Sequence, residues 1–211
     1  MIERPYSTAV YRDAAHALAT IGQRIYRQGW SPATSSNYSV RLNATHAAIT
    51  RSGKDKALLQ ETDIMAVDMN GQAASDGKPS AETLLHTQLY RRHDAVGAVL
   101  HTHSHACTVL TMHWPANSIT LEGYELLKAL EGFTTHDSRL VIPVFDNTQD
   151  IAALADQVDA AMADGDISHA YLIRGHGLYT WASDLPTCYR QLEALETLLA
   201  IELDRRRLQG V

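Results

Sequence analysis

The sequence predicts an α/β fold: a central mixed or antiparallel sheet flanked by helices. Three observations carry this reading. Short apolar runs with a β-branched bias outnumber what simple strand–helix alternation would supply. Turn signals at Asn43-Ala44-Thr45 and Asn70-Gly71 sit between such runs and mark hairpins among the helical stretches. The 211 residues are 45% hydrophobic and 20% charged, which suits one domain with a full core, taken as residues 1–211.

Taken in order, Ser7 or Thr8 caps a helix with Val10, Ala14, Leu18, Ile21 and Ile25 near the 3.6 period, stopping near Gly29. A polar, Pro-interrupted stretch from Trp30 to Asn37 leads into a strand at 38–42 and a return strand at 46–50. A small-residue loop, Arg51-Ser52-Gly53-Lys54, precedes a strand at 64–69. Ser80 caps a helix to Arg92, with Pro79 setting its entry. An apolar strand then runs into His101-Thr102-His103, followed by a helix over 106–113. Ser118 to Leu121 is extended, and 122–130 reads as helix. Leu140 to Val144 contains Pro143, which predicts an edge strand or a bulge. A helix over 151–162, strands around 170–173 and 178–181, and a long helix over 185–208 complete the chain.

The formal net charge of −6 argues against nucleic-acid binding. The one basic run, Arg205-Arg206-Arg207, closes the last helix, where cations suit the dipole. No apolar stretch reaches the roughly 18–20 residues of a membrane span, and the N-terminus has no signal-peptide pattern. Cys107 and Cys188 are far apart within helical stretches and form neither a disulfide framework nor a metal motif. The chain reads as cytoplasmic.

Strand side chains repeat every two residues, so His101 and His103 share a face about 7 Å apart and can chelate one metal ion. His176, between Gly175 and Gly177 after another apolar strand, is a candidate third ligand. In a chain with eleven His, an H-x-H pair alone also fits hydrogen-bonded core imidazoles. Ser35-Ser36-Asn37, Thr50-Arg51-Ser52-Gly53-Lys54 and Pro79-Ser80-Ala81 offer the free amides and hydroxyls that bind phosphate, with Lys54 as a mobile cation. Each stretch alone also fits an ordinary turn. Glu82 reads equally as a first-turn surface carboxylate or an acid/base group. Glu125 reads equally as a helix-surface partner of Lys128 or an acid/base group.

The order and spacing of Ser36-Asn37-Tyr38-Ser39-Val40-Arg41, Thr50-Arg51-Ser52-Gly53-Lys54, Pro79-Ser80-Ala81-Glu82, His101-Thr102-His103 and Gly175-His176-Gly177 resemble the class II aldolase/adducin family over nearly the whole chain. Within it, Glu122 to Leu130 and Arg174 to Trp181 resemble the branch that dehydrates methylthioribulose 1-phosphate in methionine salvage. The resemblance implies an α/β/α sandwich around a mainly antiparallel sheet. It implies one Zn²⁺ per subunit on His101, His103 and His176. Ser36, Asn37, Thr50, Ser52, Gly53 and Ser80 would lie near the sugar phosphate. Glu125 would match the dehydratase acid/base carboxylate, and Glu82 the one used by aldolase relatives. Many of those relatives have Gly-Asn where this chain has Ser36-Asn37.

The resemblance also implies a homotetramer with active sites near subunit interfaces, for which Tyr179, Trp181 and Tyr189 are candidate interface aromatics as well as candidate core. Two other functions fit the same motifs. One is a metal-dependent aldolase or epimerase on another sugar phosphate. The other is a non-catalytic, adducin-like interaction module, against which the complete His set argues.

Overall fold

A computed structural model describes residues 5–165 and 167–210, so the ends of the 1–211 domain lie outside the described residues. Among these residues eight strands form one sheet in the order β3-β2-β1-β4-β8-β7-β6-β5. They are β1 (Asn37–Arg41), β2 (His46–Thr50), β3 (Ile64–Asp68), β4 (Ala98–Thr102), β5 (Ser118–Glu122), β6 (Arg139–Phe145), β7 (Ala170–Ile173) and β8 (Gly177–Ala182). Every pairing is antiparallel except β6 with β7.

Among the described residues five α-helices cover the two faces: α1 (Thr8–Arg27), α2 (Thr83–Arg92), α3 (His105–His113), α4 (Ile151–Ala163) and α5 (Leu185–Leu208). The period-2 alternation of the strands explains the two layers. Tyr38, Ala48, Leu100, Leu172 and Leu178 pack with Leu18 of α1, Leu110 of α3 and Leu195 of α5. Ile49, Met65, Val99, Tyr171 and Tyr179 face the other way, with Leu85 of α2 and Leu154 of α4. The result is the expected α/β/α sandwich. Among the described residues no helix is long and apolar enough to cross a membrane.

Side-chain caps explain several boundaries. Ser7, Ser104, Asp150 and Asp184 each accept a backbone N–H three residues on, opening α1, α3, α4 and α5. The helix expected from Ser80 starts later, at Thr83. The Ser80 hydroxyl accepts the Glu82 N–H at 3.3 Å and its carbonyl takes the Thr83 N–H at 3.2 Å, so this segment closes a turn before the helix. The helix expected over 122–130 divides in two. Glu122 ends β5, Gly123 turns the chain at φ +77°, and only Glu125–Ala129 is helical, as a 3-10 turn.

Pro143 does not mark an edge strand. β6 has β5 on one side and β7 on the other. The Val144 N–H points to Asn117 O at 2.8 Å, so the donor that Pro143 lacks would face β7, which pairs only from Val144 onward. Cys107 and Cys188 are buried and free. Trp181 and Tyr189 are buried within the single chain, at 6% and 4% exposure, so neither is available as an interface anchor; Tyr179 is fully buried.

Candidate active site

The C-terminal end of β4 gathers the site. His101 is opposite Asn37 of β1 on one side and Tyr179 of β8 on the other. His103 lies just past the strand, its N–H donating to Trp30 O at 2.8 Å. His176 occupies the turn from β7 to β8. Gly175 takes φ +64° there, and a Cβ on Gly177 would lie 1.8 Å from Thr102 O, so only glycine lets β8 close on β4 at that point. Glu82 enters from the segment before α2.

The Nε2 atoms of the three His converge. They are 2.8 Å apart for His101 and His103, 3.3 Å for His101 and His176, and 3.1 Å for His103 and His176. Glu82 closes the group, with Oε1 2.8 Å from His176 Nε2 and Oε2 3.3 Å from His101 Nε2. His101 Nδ1 is 2.9 Å from Leu178 O. A carbonyl only accepts, so Nδ1 carries the proton and Nε2 presents a lone pair to the cluster. His176 Nδ1 is 3.3 Å from Asn147 Oδ1, a similar outer contact. Lone pairs turned towards one another gain nothing without a cation. A tetrahedral ion with bonds of about 2.0–2.1 Å holds its ligand atoms about 3.3–3.4 Å apart, near the spacing here. The donor set therefore fits a metal ion, and the four side chains could hold one between them.

The electrostatics agree. Burial pushes His101 well below the usual imidazole range and lowers His103 to about 4, with neighbouring imidazoles adding to the effect. Burial alone would raise the Glu82 carboxyl. His101, His176 and the Asn37 amide more than offset it and hold that group well below the usual carboxylate range. A neutral His101 and His103 beside the Glu82 carboxylate are the protonation states a metal needs.

A buried hydrogen-bond chain supports Glu82. Asn37 Nδ2 donates to Glu82 Oε2 at 2.6 Å and to Ser80 Oγ at 3.1 Å. Asn37 Oδ1 accepts from His86 Nε2, whose Nδ1 lies 2.7 Å from Ser39 Oγ, itself 2.8 Å from Tyr90 OH. The Tyr179 hydroxyl donates to Glu82 Oε2 at 3.1 Å. His86 and Asn147 had no signal in the sequence beyond their residue type. Tyr179 was read only as a core or interface aromatic.

A cleft of about 190 Å³ adjoins the cluster, lined by Ser36, Asn37, Arg51, Ser52, Gly53, Ser80, Glu82 and His103 among others. Arg51 bridges to Pro79, and the Ser52 N–H donates to Lys78 O at 3.0 Å, which brings two of the candidate phosphate loops together. The two remaining candidates turn elsewhere. The Thr50 hydroxyl is buried and accepts the Tyr38 N–H at 3.2 Å. Lys54 reaches Asp63 at 2.9 Å.

Glu125 is not brought to the cluster within this chain. Its exposed carboxylate pairs with Lys128, and His136 lies 3.8 Å away. Four strand places separate β4 from β5, about 19 Å across the sheet. Glu125 also follows the end of β5 that pairs with the start of β6, opposite the end holding His176. Two aromatics lie away from the cleft: Trp114 sits under the Arg206 guanidinium, and the Tyr124 hydroxyl donates to Glu202 at 2.6 Å.

A family model described as the class II aldolase and adducin N-terminal domain matches residues 16–203. The methylthioribulose-1-phosphate dehydratase of Alcanivorax borkumensis is 79% identical over 210 residues, covering 100% of both chains. That of Marinobacter nauticus is 51% identical over 94% of this chain and 97% of its own. Among solved structures, L-fuculose-1-phosphate aldolase from Thermus thermophilus has a TM-score of 0.74 at 27% identity, over 95% of this chain and 97% of that one. YgbL from Escherichia coli has a TM-score of 0.77 at 21% identity, over 91% of this chain and 89% of its own. With the family model matching residues 16–203 and a relative 79% identical over the full length, the chain belongs to the class II aldolase and adducin family.

Proposed function

We propose that this chain is a methylthioribulose-1-phosphate dehydratase, a lyase of methionine salvage acting in the cytoplasm. It would convert 5-methylthioribulose 1-phosphate to 2,3-diketo-5-methylthiopentyl 1-phosphate and water. The observation that carries the reading is the dehydratase relative, 79% identical over the full length. The intact cluster of three His and Glu82 supports it.

His101, His103 and His176 would hold one ion per subunit, taken as Zn²⁺ from the three imidazole donors, with Glu82 beside them on the fourth side. Bound there, a divalent ion supplies Lewis-acid polarisation of a ketose oxygen. Ser36, Asn37, Ser52, Gly53 and Ser80 offer hydroxyls and amides to the phosphate, which orients the sugar from its far end. Thr50 shapes the same wall from within through its bond to Tyr38. Glu82 stands beside the cluster and can hold a proton at the reacting carbons. Glu125 is the second acid/base group. It cannot serve its own chain's cluster, so it acts from a neighbouring copy in a homotetramer with sites at the subunit interfaces.

In the reaction a carboxylate takes the C3 proton and an acid protonates the departing C4 hydroxyl. Water leaves, and the enol becomes the 2,3-diketone. The placement of Glu82 within the cluster favours one second reading, retro-aldol cleavage between C3 and C4. Product masses separate the two. Incubation with methylthioribulose 1-phosphate should give one product lighter by one water. Two carbonyl fragments would establish the aldolase reading instead.

A further inference from the structure

Lys54 was the cation expected at the phosphate, and it is turned away into its pair with Asp63. One other cation lines the cleft, and a second lies behind its wall. Arg51 lines it directly, beside Ser52, Gly53 and Ser80. Its Nε is buried and has no hydrogen-bond partner among the described residues. Gly77 leaves room for this side chain, because a Cβ there would meet Arg51 Nε at 2.9 Å.

Lys56 stands behind the same wall. It is 1% exposed, unusual for a lysine. Its Nζ donates to Thr34 O at 3.3 Å and to Lys54 O at 2.8 Å. Those carbonyls belong to the two loops that carry Ser36 and Ser52, so one ammonium ties both loops together. Asp55 and Asp63 oppose the burial that pulls Lys56 down to about 8, and the group is charged at neutral pH. Its field reaches His103, which also lines the cleft.

We propose that Arg51 and Lys56, rather than Lys54, supply the positive charge that recognises the phosphate: Arg51 by direct contact in the cleft, and Lys56 as a buried charge behind it. The inference rests on the phosphate reading of the cleft but not on the reaction that follows. A planar guanidinium suits a phosphate because it offers parallel N–H donors, whereas an ammonium acts as a point charge. Burial behind the loops keeps the Lys56 charge from being screened.

The test is calorimetric binding of inorganic phosphate to the metal-loaded protein, with melting temperature and metal content recorded for each variant. Phosphate binding is read without turnover, so the result stands whether the enzyme proves to be a dehydratase or an aldolase. Arg51→Met should weaken phosphate binding about 10–100-fold, the loss expected for charge-assisted hydrogen bonds. Arg51→Lys should recover part of it. Lys56→Gln keeps a donor for the loop carbonyls and removes the charge; it should weaken phosphate as well. Lys54→Met should change it less than about twofold, as for an exposed ion pair. If the Lys56 variants do not fold, the Arg51 pair decides. Normal phosphate binding by Arg51→Met, weakened binding by Lys54→Met alone, or no phosphate binding by the parent would each overturn the proposal. Normal binding by a folded Lys56→Gln would remove Lys56 from it.

Discussion

The Tyr179 ring stacks on the His101 imidazole, with centroids 4.0 Å apart and planes 15° apart, while its hydroxyl donates to Glu82 Oε2. One β8 side chain therefore fixes both the plane of one imidazole and the position of the carboxylate beside it. Tyr171 stacks on the far side of Tyr179 at 4.8 Å, so the column is rigid from the core outward.

Tyr179→Phe separates these two effects. It keeps the stack and removes the hydroxyl. Loss of a hydrogen bond to a charged group is worth about 1.5–3 kcal/mol, so turnover should fall roughly tenfold or more while metal content stays at the parent level. Parent-level turnover in this variant would show that the Glu82 contact is dispensable.

The distance between Glu125 and its own chain's His cluster makes a prediction about mixed assemblies. Glu125→Gln and His176→Ala should each lose activity, by about 10²–10⁴-fold for the acid/base variant. If Glu125 serves a neighbouring copy, unfolding and refolding the two together should restore activity, because some sites then combine an intact His set with an intact Glu125. Co-assembled chains without restored activity would exclude this role for Glu125 and leave Glu82 as the proton carrier.

Thr102 lies between His101 and His103 and points to the opposite face, where its hydroxyl bonds Glu196 of α5. Glu196 is 1% exposed and also receives Cys107 Sγ at 3.5 Å. Burial pushes its carboxyl above the usual value of 4.5, and the hydrogen bonds from Ser104, Thr102 and Cys107 only partly offset it. A folded-state pKa above the unfolded one contributes stability that is complete below the unfolded value and is lost as pH rises through the folded value. Glu196→Gln removes that term. Its stability relative to the parent should rise as pH climbs from 4.5, and denaturant titrations across that range should show the two curves diverging. The His ligands are common to both proteins and cancel in the comparison. Parallel curves would contradict a neutral, buried Glu196.

The sequence made the His cluster legible because strand parity is strict: residues two apart share a face wherever the chain is extended. The long α5 was equally legible, with Asp184 capping it and Gln209 closing it after the basic run. Other features had no such period. Pro79-Ser80 mimics a helix start, yet the chain first makes a turn that presents Ser80 to Asn37. In the loop 50–56 no alternation says which cation faces inward, and Lys54, a mobile point cation by its residue type, pairs with Asp63 instead. Ser36 takes φ +72°, a conformation that disfavours any residue with a Cβ, and the sequence noted only that glycine is common there among relatives. Glu125 was legible as a residue type and order within a motif. Its position on the sheet follows from β5 running antiparallel to β6, which no local pattern encodes.

The central claim is that the three-His centre, loaded with one divalent ion, runs the dehydration. Metal-free protein titrated with Zn²⁺ in the presence of methylthioribulose 1-phosphate tests it most directly. Diketone formation should be absent at the start, rise in proportion to added ion, and level off at one ion per chain. Full dehydration by protein that holds no metal, or none at one ion per chain, would contradict the account.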